Sequence, residues 1–105
     1  MADIGKIKIK AKVKEGVASV KSLITHPMET GTRRDADNNL IPAHYIETVV
    51  CEHNGEAVLT AQWGPSVSKD PYFAFMVNGA GSGDTIRISW TDNQGKSASN
   101  EITLK

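Results

Sequence analysis

The sequence lacks several features that would define a class of function, and each absence narrows the alternatives. Its single cysteine, Cys51, excludes an internal disulfide framework and a cysteine-rich metal site. Twelve basic and twelve acidic side chains give no formal net charge. This argues against nucleic acid as the main partner, because phosphate binding needs a basic surplus. No apolar run approaches the roughly 20 residues of a membrane helix, so no membrane partner is expected.

The length and composition predict one folded domain that spans residues 1–105. The 39% of hydrophobic and 23% of charged residues are ordinary for a globular chain, not for a disordered one. A secretory signal needs a continuous apolar segment of roughly 7–15 residues. Residues 1–13 alternate instead, so a cytoplasmic location is expected unless the chain leaves the cytoplasm bound to another protein.

Alternation with a period of two is the main pattern, and it predicts half-buried β-strands. Asn54-Gly55 between two extended segments is a strong hairpin signal. The expected strands are 7–13, 17–25, 43–53, 56–63, 72–77, 85–90 and a last strand with Ala98, Ile102 and Leu104 on one face. About seven strands and no amphipathic helix predict an all-β fold, an immunoglobulin-like antiparallel β-sandwich.

The first strand places lysines at every second position, from Lys6 to Lys14. These lysines have two interpretations. They can protect an edge strand from pairing with other chains, which is the more common use. They can also form a docking surface for an acidic partner.

The potential metal ligands are His26, His44, Cys51 and His53, and their number is marginal for a mononuclear site. The expectation is therefore no metal and no cofactor. A redox centre on these four residues is kept as an alternative. Cys51 follows Val49-Val50 in an apolar strand, so a buried thiol is favoured over a nucleophile. With no nucleophile elbow, phosphate loop or paired carboxylates, the sequence does not indicate an enzyme.

Two features suggest contacts with other proteins. The polar stretch 28–39 has no periodicity and predicts a long loop, which in a compact domain is often functional. In the aromatic group at 72–75, alternation puts Phe73 and Phe75 on one face and Tyr72 on the other. Most of this group is expected in the core, with one or two residues at an interface.

Several segments together resemble one family. They are His26-Pro27-Met28-Glu29-Thr30-Gly31, Arg33-Arg34-Asp35, Leu40 to Ile46, Asn54-Gly55, Trp63 to Tyr72, Gly83-Asp84, Trp90-Thr91-Asp92-Asn93 and Gly95. In order and spacing they resemble SoxZ, a subunit of the carrier complex of sulfur oxidation. The resemblance spans nearly the whole chain.

The resemblance implies a non-catalytic subunit that pairs with SoxY in a SoxYZ heterodimer. SoxY carries sulfur intermediates covalently on a cysteine in a glycine-rich C-terminal arm and presents them to the thiosulfate-oxidising enzymes. This chain ends Ile102-Thr103-Leu104-Lys105 and has no such arm. The implied location is the periplasm, reached by export with SoxY. Whether the chain forms a homodimer when SoxY is absent stays open.

The candidate partner-binding residues lie mainly in the stretch 28–39 and around Tyr72. Methionine offers a pliable apolar contact, and arginines offer forked donors for carboxylate or sulfonate groups. In an alternative of equal weight, the arginines are solvated and the loop is simply tight. The candidates are His26, Met28, Glu29, Arg33, Arg34 and Tyr72. Besides the redox alternative, a stand-alone adhesion or sugar-binding sandwich also fits the fold.

Overall fold

The computed structural model describes residues 6–64, 66–67 and 69–105. Seven β-strands form in chain order. They are β1 (Ile7–Lys14), β2 (Val17–Ile24), β3 (Ile46–His53), β4 (Glu56–Gln62), β5 (Tyr72–Asn78), β6 (Thr85–Asp92) and β7 (Ser97–Thr103). In the described part of the chain, no helix has the length and apolar character needed to cross a membrane.

The strands form two antiparallel sheets. One has the order β1-β2-β5, and the other has the order β4-β3-β6-β7. The predicted all-β, immunoglobulin-like sandwich is therefore confirmed. β1 is an edge strand, as the lysine pattern indicated, and its first residue is tied to β7 because the Asn100 side chain donates to the Ile7 carbonyl (2.8 Å).

The core lies between the sheets and is built by the apolar half of each alternating strand. The three-stranded sheet contributes Val20 and Ile24, and the four-stranded sheet contributes Ile86 and Trp90. Phe73 and Phe75 stack with centroids 5.9 Å apart and pack against the core. Tyr72 points to the other side and is 62% exposed, as alternation predicted.

Two tight turns have a positive φ at both of their central residues. At Asn54-Gly55 both residues have positive φ, 52° and 84°, and the turn joins β3 to β4. Glu15-Gly16, with φ of 52° and 79°, joins β1 to β2 in the same way. Successive positive φ values are what two-residue hairpins require.

The predicted strand limits differ from the observed ones mainly at β3 and β6. β3 was expected to begin at Ala43 but begins at Ile46. Residue 44 instead pairs with Glu29 in an isolated bridge. β6 continues to Asp92, which the sequence placed in a turn. Within the segments named above, Pro65 and Ser68 lie outside the described residues, as do residues 1–5.

Candidate functional site

Three side chains from distant parts of the chain meet at one end of the sandwich. His26 follows β2, His44 precedes β3, and Asp92 ends β6. Oδ2 of Asp92 lies 3.0 Å from Nε2 of His26 and 2.6 Å from Nε2 of His44. The two imidazole centroids are 4.6 Å apart. We call His26, His44 and Asp92 the histidine–aspartate latch, since it joins three segments of the chain.

The carboxylate of Asp92 is buried but fully hydrogen-bonded. Oδ2 accepts from the two imidazoles, and Oδ1 accepts the backbone N–H groups of Gln94 (3.0 Å) and Lys96 (2.9 Å). Burial opposes ionisation of Asp92, but these four hydrogen bonds prevail and hold the pKa of its carboxyl below the ordinary value. Asp92 is therefore an anion that accepts every hydrogen bond offered to it.

The tautomer of His26 follows from its two neighbours. The Met28 backbone N–H donates to Nδ1 of His26 (3.1 Å), so this nitrogen carries no proton. The proton of the neutral ring is then on Nε2, which donates to Asp92. Burial lowers the pKa of His26 and outweighs the raising effect of the hydrogen bond to Asp92, while the neighbouring His44 lowers it further. His26 is thus a neutral, completely buried ring.

This tautomer bears on metal binding. The ligand atoms of the latch lie within 4.8 Å of one another, close enough to surround one cation. A metal-bound imidazole uses one nitrogen as the ligand and donates a hydrogen bond from the other. In His26 the nitrogen facing away from the cluster accepts a hydrogen bond, so Nε2 has no lone pair for a metal. The chemistry of the donor set therefore favours a hydrogen-bonded latch over a metal centre.

The four-residue redox alternative fails on placement. Only His26 and His44 come together. Nε2 of His53 lies 2.7 Å from Oδ2 of Asp84, in a pair that joins β3 to the turn before β6. Cys51 is buried in the core, where desolvation raises the pKa of its thiol to about 11. It is a packed thiol, as the apolar strand pattern indicated.

The hydrogen bonds of the latch imidazoles go to a carboxylate and to a backbone N–H group. Among the hydrogen bonds of the described residues, none joins an imidazole to a hydroxyl or thiol group. The ring of Trp90 covers His26 edge-on, with centroids 5.0 Å apart. Both imidazoles are thus engaged with Asp92, and the latch stabilises the structure by joining three segments of the chain.

Further hydrogen bonds attach the latch to its surroundings. The backbone of His26 exchanges two bonds with Asp70: the Asp70 N–H donates to the His26 carbonyl (3.0 Å), and Oδ1 of Asp70 accepts the His26 N–H (3.1 Å). Asn93 accepts the Tyr45 N–H (2.8 Å) and donates to the Ala43 carbonyl (2.9 Å). Four segments of the chain are thereby fixed relative to one another.

The segment 28–44, which we call the latch arm, folds back on itself instead of forming an open loop. Isolated bridges pair Glu29 with His44 and Arg34 with Leu40. Gly31 has φ of 87°, and a Cβ placed there would lie 3.0 Å from the Ala43 Cβ. Glycine is therefore required at this position both for its conformation and for the close approach of the two sides.

Both arginines of the latch arm are engaged within it. The Arg33 guanidinium pairs with both carboxylate oxygens of Glu29, while its side chain stays 64% exposed. Nη1 of Arg34 donates to the Asn38 carbonyl (3.0 Å). The arginines thus help to close the arm, where the tight-loop alternative had them solvated, and Arg33 still presents its outer surface to solvent.

The six candidate residues divide into two groups. Glu29, Arg33, Arg34 and Tyr72 reach the surface, whereas His26 and Met28 are buried. Met28 was expected to offer an exposed apolar contact, but it is only 5% exposed because its sulfur accepts the Ile46 N–H (3.4 Å) and its side chain joins the core. His26 and Met28 position the arm and present no surface of their own.

Asp92, the residue on which the latch converges, was not among the site residues predicted from the sequence. The run Asp92-Asn93-Gln94-Gly95 is typical of a turn, and the structure has a turn there. The signal that could have identified it is the buried strand that leads directly to it, with Ile86, Ile88 and Trp90 on its inner face. The next inward position of that alternation is Asp92.

These features define an immunoglobulin-like sandwich that carries a buried structural latch and a closed surface arm. The chain belongs to the SoxZ family: the family model for sulphur oxidation protein SoxZ matches residues 7–103. A comparison with curated proteins found no match. The family relationship associates the chain with sulfur oxidation.

Proposed function

We propose that this chain is the non-catalytic subunit of a SoxYZ carrier complex, in which it pairs with SoxY. The cysteine of the SoxY arm would carry the sulfur intermediates, and this chain would help to present them to the thiosulfate-oxidising enzymes. The observation that carries the proposal is the family match over residues 7–103. The proposed location is the periplasm, reached by export together with SoxY.

The chemistry of the described residues is consistent with a supporting role. The one thiol, Cys51, is buried with its pKa raised to about 11, so it is unsuited to carrying sulfur. The imidazoles of the latch are used to hold the arm in place. A subunit that presents cargo held by its partner needs a rigid base, and the latch provides one.

The latch arm is the proposed recognition element for SoxY or for a visiting Sox enzyme. It presents the outer side of the Arg33 guanidinium and the exposed Leu40 side chain on a backbone fixed at both ends. A preorganised arm loses little conformational entropy on binding.

The first experiment is size-exclusion chromatography with light scattering on the chain alone and on its mixture with SoxY from the same source. A 1:1 heterodimer that withstands moderate salt would support the carrier-subunit proposal. If the chain elutes unchanged beside SoxY, the proposal is wrong for this protein. The measurement on the chain alone also determines whether it forms homodimers.

The role of the arm is tested with the double variant Arg33→Ala/Arg34→Ala. We expect weaker binding of SoxY or slower thiosulfate-dependent turnover by the reconstituted Sox enzymes. Arg87→Ala is the matched control, since Arg87 is an exposed arginine on the four-stranded sheet, 3.9 Å from Glu52. If the double variant matches the unmodified chain in both assays, the arm is not a recognition element.

A further inference from the structure

The outer face of the three-stranded sheet is positively charged, and among the described residues no carboxylate forms an ion pair with its lysines. Cross-strand partners lie on the same side of a sheet, so register defines the rows of this face. Read from β1 through β2 to β5, three rows are Lys8–Leu23–Tyr72, Lys10–Lys21–Ala74 and Lys12–Ser19–Met76. We call these residues the lysine face. None of the ion pairs between described residues includes a lysine.

Edge protection explains the lysines of β1 but not Lys21. Lys21 lies on β2, the central strand, which is already paired on both sides. It stands directly opposite Lys10. Like charges directly opposite each other across a strand pair destabilise a sheet. Lys21 has a like-charged partner on a central strand, where no protection against pairing with other chains is needed. This points to a negative charge on another molecule that faces Lys21.

The same face exposes its largest apolar side chains beside the lysines. Met76 is 72% exposed, Tyr72 is 62% exposed, and Leu23 is 37% exposed. Leu23 and Tyr72 line one groove together with Lys8, Lys10 and Lys21. Tyrosine and methionine are enriched in protein interfaces. This combination is suited to a protein partner rather than to a bare polyanion.

The outer face of the other sheet differs in its charge, although β4 of that sheet also exposes Val58 (46%) and Leu59 (38%). Its groove is lined mainly by neutral polar side chains such as Thr48, Ser89 and Ser99. The arginine there, Arg87, has Glu52 3.9 Å away. Among the described residues, rows of unpaired lysines are therefore found on the outer face of the three-stranded sheet.

We propose that the lysine face is the surface on which SoxY docks, through a patch that combines acidic and apolar side chains. This inference rests on the proposed pairing with SoxY and goes beyond it by assigning the interface. Tyr72, Met76 and Leu23 make the apolar contacts. Lys21 in the middle row and the lysines of β1 at the edge face acidic groups of the partner, which accelerates association.

The test compares two charge reversals in the SoxYZ complex. Lys21→Glu is expected to raise the dissociation constant about tenfold and to flatten its salt dependence. Lys96→Glu is the control with the same change in charge, because Lys96 lies in the exposed turn before β7. It is expected to leave the affinity within about twofold. Equal affinities for Lys21→Glu and the unmodified chain would overturn the assignment.

A second measurement uses the unmodified complex and does not depend on how a variant folds. A carbodiimide joins lysine amines to carboxylates that are in direct contact, and mass spectrometry identifies the linked residues. Links to SoxY from Lys10, Lys12 or Lys21 are expected. Links confined to Lys69 or Lys96 would place SoxY elsewhere. If the unmodified chain forms no complex with SoxY, the proposed function itself fails, and that result is distinct from a misplaced interface.

Discussion

Nε2 of His26 donates to Oδ2 of Asp92 across 3.0 Å, although the two residues are 66 positions apart and both side chains are fully buried. The direction of this bond is fixed because the other nitrogen of His26 accepts the Met28 N–H. The ring therefore cannot exchange tautomers without losing both of these buried hydrogen bonds, and this rigidity makes the latch testable.

Asp92→Asn should destabilise the fold strongly. The amide would place a donor against the imidazole N–H groups or against the backbone N–H groups of Gln94 and Lys96, leaving buried donors unpaired. We expect a loss of about 3 kcal/mol in the free energy of unfolding, measured by urea denaturation. Asp37→Asn, on an exposed position of the latch arm, is the control and should change it by less than about 0.5 kcal/mol. Equal stability of Asp92→Asn and Asp37→Asn would show that the latch contributes nothing to the free energy of unfolding.

The stability should fall as the pH falls below neutrality. The pKa of His26 is lowered in the folded state, so below its ordinary value of 6.5 the unfolded chain binds a proton that the native chain does not. The stability of the fold with a neutral His26 is therefore fully present above that pH and is lost as the pH falls through it. The free energy of unfolding then decreases with a slope approaching about 1.4 kcal/mol per pH unit. Urea midpoints between about pH 7.5 and about pH 5 measure this slope.

The control for this pH dependence is His26→Gln, which has no titrating group at the position. Whatever its absolute stability, it should lose much of the slope below pH 6.5. A variant slope identical to that of the unmodified chain would assign the pH dependence to other groups. A second loss is expected under acid conditions, because the lowered pKa of Asp92 makes its contribution disappear as that carboxylate is protonated.

Cys51 should be unreactive in the native chain. Burial raises the pKa of its thiol to about 11, so the thiolate fraction at neutral pH is negligible, and the sulfur is also inaccessible. A thiol-specific reagent such as a disulfide dye should label it only in denaturant. Stoichiometric labelling of the folded chain within seconds would contradict this placement.

Gly31→Ala should destabilise the latch arm. Alanine would have to adopt a φ of 87° and place its Cβ 3.0 Å from the Ala43 Cβ, so a loss of about 1–3 kcal/mol is expected in urea denaturation. Gly81→Ala is the matched control, since a Cβ there meets nothing within 4 Å and its φ is ordinary. Combining Gly31→Ala with Ala43→Gly should recover the part of the loss due to the steric contact. Equal stabilities of the two single variants would contradict this account.

The sandwich could be predicted from the sequence because its strands alternate strongly and its turns have distinctive residues. The alternation from Ile7 to Lys14 predicts a strand, and Asn54-Gly55 predicts a hairpin turn. The latch could not be predicted, since its hydrogen bonds join residues as much as 66 positions apart and no local period encodes such a contact. Met28 was misplaced for a related reason: its flexible side chain suits an interface and a core equally, and only the tertiary structure selects the core.

The separation of His26 from Asp92 along the chain has a kinetic consequence. Contacts between distant positions require large loops to close, and they form only after more local pairings such as β1 with β2 are in place. We therefore expect the latch to be absent from the folding transition state, so that its removal accelerates unfolding while leaving the folding rate nearly unchanged. Asp92 would then determine how slowly the folded latch arm unfolds, not how fast it folds.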